Sequence, residues 1–352
     1  EITTRLVGSE MCIRDRHYPL ELRLYIIGNG FDLHHEVASS YSSFRLWLKK
    51  NDYALFNLYE TVCSYDALWS DFEASMAYVS RDYFLESGEV ALPDLSSSPD
   101  DWTMADILLG GDMARSMAED LLDNLRRDFH KWVCTLRAPR NYARKMLYVD
   151  DYARFLTFNY TTFLESHYRI PSSQVNHIHG VKTQQWGSLV VGHAEDNEHI
   201  FNNWWESKGY NRPHYNHKGK KYYKRDRTYR MYHGDTQYLP EYENLTDAVE
   251  SYYEEAIKPV DKIIASNASY FKSLYDVRTI YVWGFSFSKV DKPYIREIIA
   301  SNDNPMSVQW YVSIFSETDK AKALNTLLPL GILESCIHFN SLYDFCRCKQ
   351  SI

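Results

Sequence analysis

Asp32, Asn159, His177 and His179 are polar side chains that stand at the ends of expected strands or in the turns after them, where chemistry could be done. Asp32 closely follows the turn Gly28-Asn29-Gly30, in LYIIGNGFDLHHE. A carboxylate there repels a phosphate and suits a ribose hydroxyl or a positively charged ring. The alternative is that Asp32 merely caps the helix that follows. Asn159, in TFNYTTFLE, would sit where a strand ends, donating and accepting hydrogen bonds at once. A lone asparagine completing the turn is the competing role. His177 and His179, in NHIHG, alternate by two, which on a strand puts both on one face. With His193, in VVGH, they make three candidate metal ligands. No neighbouring acid completes that set, so a general base ranks above a metal, and a structural histidine is the ordinary role of either taken singly. In GFSFSKVDKPY (284–294), the segment from Gly284 to Ser288 nearly spells a nucleophile elbow but lacks its final glycine. His338 is the only later histidine, with Asp303 and Asp319 as candidate acids. A hydroxyl-bearing turn facing a phosphate or ribose fits better than a triad.

Elements that could position these residues are legible around them. Leu22 to Ile27 reads as a buried strand, running through the glycine turn into a helix expected over about Leu33 to Lys50. Glycines at the end of a first parallel strand let a backbone approach a pyrophosphate, although the third glycine of the dinucleotide fingerprint is replaced by Leu33. Helical patterns dominate from about 64 to 138, with a Pro- and Ser-rich loop at 88–102. Further strands are expected at Arg154 to Tyr160, Gln174 to Gly180, Ser188 to His193, Arg278 to Gly284 and Ser307 to Phe315, with a helix from about Leu245 to Tyr275. Strands separated by helices predict an α/β fold with a mostly parallel sheet and a helical insertion after the first βα unit.

The 352 residues suffice for one large domain, expected over 17–352, with 45% hydrophobic and 24% charged side chains. The net charge of −8 argues against a protein that coats nucleic acid. No apolar run reaches the ~18 residues that span a bilayer, and six cysteines without paired spacing suit reduced thiols of a cytoplasmic protein. Val7 to Arg16, VGSEMCIRDR, resembles translated sequencing adapter, so residues 1–16 are set aside from the fold. A polar, aromatic loop is expected over about 196–243. Within it, Lys208 to Arg230 carries nine Lys or Arg and one Asp among tyrosines. That composition suits a single-stranded nucleic-acid surface or a solvated lid.

In order, the glycine turn, F-N-Y-T, H-I-H-G and G-F-S-x-x-x-x-D resemble the AbiH family of bacteriophage abortive-infection proteins, with SSYSSF, LWSDFE and WYVSIF extending the likeness from Leu22 to about Phe345. The same order is similar, more remotely, to sirtuin-like NAD-consuming domains. That resemblance implies a Rossmann-like, sirtuin-like sheet, NAD as the substrate, no metal, and hydrolysis of the nicotinamide–ribose bond. It implies His179, Asn159 and Asp32 as catalytic residues. It implies nucleotide contacts from Gly28, Asn29, Gly30, Phe31, Thr157, Gly284, Ser286 and Asp291. Thr161 stands where that group has an aspartate. Implied partners are a phage trigger and further copies of the chain, with nucleic acid as another at Lys208–Arg230. A nuclease or metal-dependent hydrolase using the three histidines, and a nucleotide sensor without turnover, are the rival functions.

Overall fold

In LRLYII every side chain from Leu24 to Ile27 is buried, as a strand covered on both faces requires. The computed structural model describes residues 22–65, 68–91, 103–140, 142–150, 152–194, 214–215, 221–222 and 240–347. Its main sheet has six parallel strands: β1 (Leu22–Ile27), β2 (Arg154–Thr157), β3 (Val175–His177), β4 (Val277–Trp283), β5 (Gln309–Ser313) and β6 (Ile337–Asn340). Their order is β3-β2-β1-β4-β5-β6. This is the strand order of a doubly wound dinucleotide-binding sheet, which reverses direction between its first and fourth strands. Ile27 pairs with both Thr157 and Trp283, so three strands end level and their following turns meet.

Alternation along the strands divides the core. Leu24, Ile26, Leu156, Ile280 and Val282 face one side, and Tyr25, Ile27, Phe155 and Trp283 the other. On the second face Tyr25 stacks between Phe155 and Tyr281, at centroid distances of 5.0 and 4.8 Å. Each such cross-strand aromatic contact contributes roughly 0.2–1 kcal/mol.

The helices are α1 (Asn29–His34), α2 (Tyr41–Asn51), α3 (Tyr53–Val62), α4 (Phe72–Ser75), α5 (Arg81–Glu89), α6 (Met104–Thr135), α7 (Phe163–His167), α8 (Pro240–Glu255), α9 (Val260–Ser266), α10 (Ala268–Lys272), α11 (Lys292–Ser301) and α12 (Glu317–Leu327). Side chains of α2 to α6 and α8 build the core on the Tyr25 face, and those of α9 to α12 cover the Leu24 face. The helical insertion thus begins at α2, earlier than about 64. The helix expected over 33–50 is two helices: Glu36 has φ +63°, and Ser40 starts α2 by accepting the Ser43 amide at 3.1 Å. Pro259 and Asn267 divide the one expected over 245–275.

Ser188 to His193 forms no sheet strand. Val190 bonds the carbonyl of His179, and His193 bridges Ile257. β6 was absent from the expected set. Residues 1–16, most of 88–102 and nearly all of the loop expected over 196–243, with Lys208 to Arg230 inside it, lie outside the described residues. Of that loop, His214–Tyr215 pairs antiparallel with Lys221–Tyr222. Among the described residues no helix is long and apolar enough to cross a membrane.

At the end of β5, Ser316 and Asp319 form a capping box on α12, and Asp319 also accepts the Phe315 amide at 3.2 Å. Ser316→Ala should cost about 1 kcal/mol, read as a lower midpoint of urea unfolding with an unchanged slope.

Candidate functional site

The turns after β1 and β4 interlock. The Gly28 amide donates to Trp283 O at 3.0 Å, the Gly30 amide to Gly284 O at 2.8 Å, and the Phe31 amide to Gly28 O at 2.9 Å. A Cβ on Gly30 would lie 2.7 Å from Gly284 Cα, and one on Gly284, at φ +62°, would strike the Phe31 nitrogen. These glycines therefore serve a close approach of turn to turn. The amides of Gly28, Gly30 and Phe31 are engaged inside the fold, so they are not free to hold a phosphate, and Asn29 Nδ2 donates to Ser39 O at 3.0 Å.

A cleft of about 760 Å³ opens over these turns, at the switch point of the sheet. Asp32, Asn159, Thr161, His179, Ser286 and Asp291 contribute to its wall, as do Gly28, Asn29, Gly30 and Gly284. Two expected contacts are corrected. The Phe31 side chain is fully buried in an aromatic cluster with His35, Phe163, Tyr168 and Trp283, pointing into the core. Thr157 is buried at the end of β2, where its Oγ1 accepts the Asn159 amide at 3.1 Å.

Asp32 is 1% exposed, and the Thr161 hydroxyl donates to its Oδ2 at 2.6 Å. Thr161 thus partners the carboxylate that follows the glycine turn. Burial pushes the Asp32 carboxyl up to about 6, against smaller opposing effects from Thr161, Asn159, Lys182 and His177. Asn159, 7% exposed, eases the Asp32 charge from nearby without closing a hydrogen bond. Among the described residues Asp32 Oδ1 and both polar atoms of the Asn159 amide have no hydrogen-bond partner. Each buried polar atom left so costs roughly 1–3 kcal/mol, which marks a place for a polar ligand or water.

His179 is buried. Its Nε2 lies 3.3 Å from Tyr294 Oη and 3.8 Å from Asp291 Oδ1. Desolvation, then the Lys258 charge, hold the imidazole well below its ordinary value, so it is neutral. The shared face expected for His177 and His179 is not realised, because β3 stops at His177. His177 turns to Glu165, at 2.8 Å, and to the Asn159 carbonyl, at 3.2 Å. Among the described residues no group of three His, Cys, Asp or Glu side chains is placed to hold a metal. Ser288 donates to Asp291 Oδ2 at 2.8 Å, while His338 bonds Gln309 on β5, leaving Ser286 without a triad.

Sequence patterns did not single out Glu73, Lys258 or Tyr294. Glu73, on α4, lines the cleft and accepts from Lys258, whose side chain is wholly buried. LWSDFE was visible as a motif, but nothing local distinguished its glutamate. Lys289, Lys292 and Lys322 line the cleft near Phe315, which is 99% exposed. A separate cavity of about 400 Å³ lies behind Thr161, lined by Arg137, His167 and Lys182. There Arg137 donates to the Cys134 and Leu136 carbonyls, and Lys182 to that of Leu136, so these cations cap the end of α6. The switch-point cleft is the better candidate.

Residues 24–314 match the family model described as bacteriophage abortive infection AbiH. Neither a curated protein nor a solved structure matches the chain.

Proposed function

The chain belongs to the AbiH family and has a role in bacteriophage abortive infection, and from that premise we propose that it binds NAD in the switch-point cleft and hydrolyses the nicotinamide–ribose bond. One observation carries this reading: a buried carboxylate and carboxamide with unmet polar atoms, Asp32 and Asn159, share a wall with the neutral His179. Lysines elsewhere in the cleft complement the phosphates. The doubly wound strand order supports a dinucleotide.

The chemistry asks little acid catalysis of the protein. The bond from ribose C1′ to the ring nitrogen breaks, its electron pair moves to the ring, and neutral nicotinamide leaves. Asp32 faces the positive charge that develops on the ribose. Water oriented by Asn159 forms the new bond to C1′, and its proton passes to the His179 imidazole. ADP-ribose remains. Total NAD should collapse in phage-infected cells carrying the chain and hold steady in cells carrying His179→Ala, whose turnover should fall about 10²–10⁴-fold. NAD that stays constant while infection is still blocked overturns the reading.

A further inference from the structure

Lys258 is a deeply buried charge beside the cleft, with a side chain 0% exposed. It follows α8 directly, and its backbone is fixed where its amide donates to the His193 carbonyl at 2.9 Å. This gives His193 a bracing role for that segment. The Lys258 ammonium lies 3.0 and 3.1 Å from the two oxygens of Glu73, on the insertion. It lies 3.7 Å from Asp291 Oδ1, which in turn is 3.8 Å from His179 Nε2. Four distant segments of the chain therefore converge on one buried cluster, and an isolated ammonium would not be tolerated there.

We propose that Lys258 is a positioning residue for the site: it ties the insertion to the core through Glu73 and Asp291, and it sets the protonation state in which His179 works. The proposal rests on the reading of His179 as proton acceptor. Asp291 alone beside His179 would draw a proton onto the imidazole, making it useless as a base. Lys258 occupies that carboxylate and adds its own repulsion, in keeping with the depressed basicity of His179. Burial works to lower Lys258, but Glu73 and Asp291 outweigh it and hold the group above its ordinary value, so the ammonium stays charged. Burial pushes the Glu73 carboxyl up to about 7 against the pull of Lys258, so Glu73 balances the ammonium in full only above that pH. Among the described residues the other titratable groups facing the cluster are Asp71, Tyr41, Tyr160 and Tyr294. Burial pushes the three tyrosines up, so they stay neutral across the working range.

The test follows the His179 ring by NMR in full-length, ¹³C-histidine-labelled protein, with the resonance assigned by its loss in His179→Gln. In the unaltered chain and in Lys258→Arg, the ring should stay neutral from pH 5.5 to 8. Lys258→Met leaves two buried carboxylates without their cation and is a poor candidate to fold. The main variant is therefore Lys258→Met with Glu73→Gln, which removes the charges as a pair. In it His179 should titrate at least one pH unit higher, and adding Asp291→Asn should take the shift back. A His179 titration unchanged in the folded double variant overturns the proposal. The readout is independent of turnover, so the shift can appear even where NAD is never consumed, in which case only the proposed reaction fails.

Discussion

Asp32→Asn should abolish NAD turnover by about 10²-fold or more and at the same time stabilise the fold by up to about 3 kcal/mol at pH 8. Both effects come from one buried charge. Burial lifts the folded-state value from 3.8 to about 6, so between those values the native state holds a proton that the unfolded chain has released. Stability from this group is thus present at low pH and declines as pH rises toward 6, leaving the full penalty above it. Asparagine removes the penalty while its oxygen can still accept from Thr161. It also loses the charge that, in the proposed reaction, faces the cationic ribose. Urea unfolding of both proteins at pH 8 and pH 4 checks this: the gap should be wide at pH 8 and nearly closed at pH 4. Turnover by the unaltered protein should fall as pH drops through about 6, where Asp32 takes up its proton. A variant no more stable than its parent, and fully active, would show that Asp32 carries no buried charge and no catalytic role.

Gly284→Ala should cost about 2–5 kcal/mol, a large share of the ~5–15 kcal/mol that holds a domain together. Two penalties add. At φ +62° an L side chain is strained by roughly 1–2 kcal/mol, and the new methyl has no space, because it meets the backbone of Gly30 and Phe31. Backbone cannot swing aside as a side chain tip can, so the β1 and β4 turns must separate. Gly187→Ala separates the two causes, since its φ is +88° but nothing lies within 4 Å of the added carbon. It should show the strain alone. Soluble yield and urea midpoints of the two variants make the comparison, and equal losses would mean that the interlock contributes nothing.

Much of this was written in local pattern. β1 and β4 bury residues on both faces and β5 buries every second residue, Trp310 and Val312, on one; such runs announce themselves. β6 did not: IHFN is four residues at the sheet edge with only Ile337 buried. The glycine turn was legible as a turn, but not as one half of an interlock, because its partner Gly284 is remote in sequence. Phe31 and Thr157 were drawn into the nucleotide set by their place in a motif. A motif fixes position along the chain, while the face a side chain presents depends on the last hydrogen bond of the strand before it. His177 and His179 show the same limit, since alternation by two holds only while the strand lasts. Glu73 and Lys258 had no local signature at all. A buried charge is unremarkable in sequence until its counter-charge is known, and here the two stand 185 residues apart.

The central position of the first strand has a consequence for synthesis. Leu24 pairs with Arg154 on one side and with Ile280 on the other. The first strand of the sheet in chain order must therefore wait for the fourth, and the intervening helices can pack beforehand without it. Until Gly284 has emerged, the turn at Gly28 has no opposing wall and the cleft does not exist. A nascent or prematurely ended chain consequently lacks the wall of the cleft on which the proposed reaction depends.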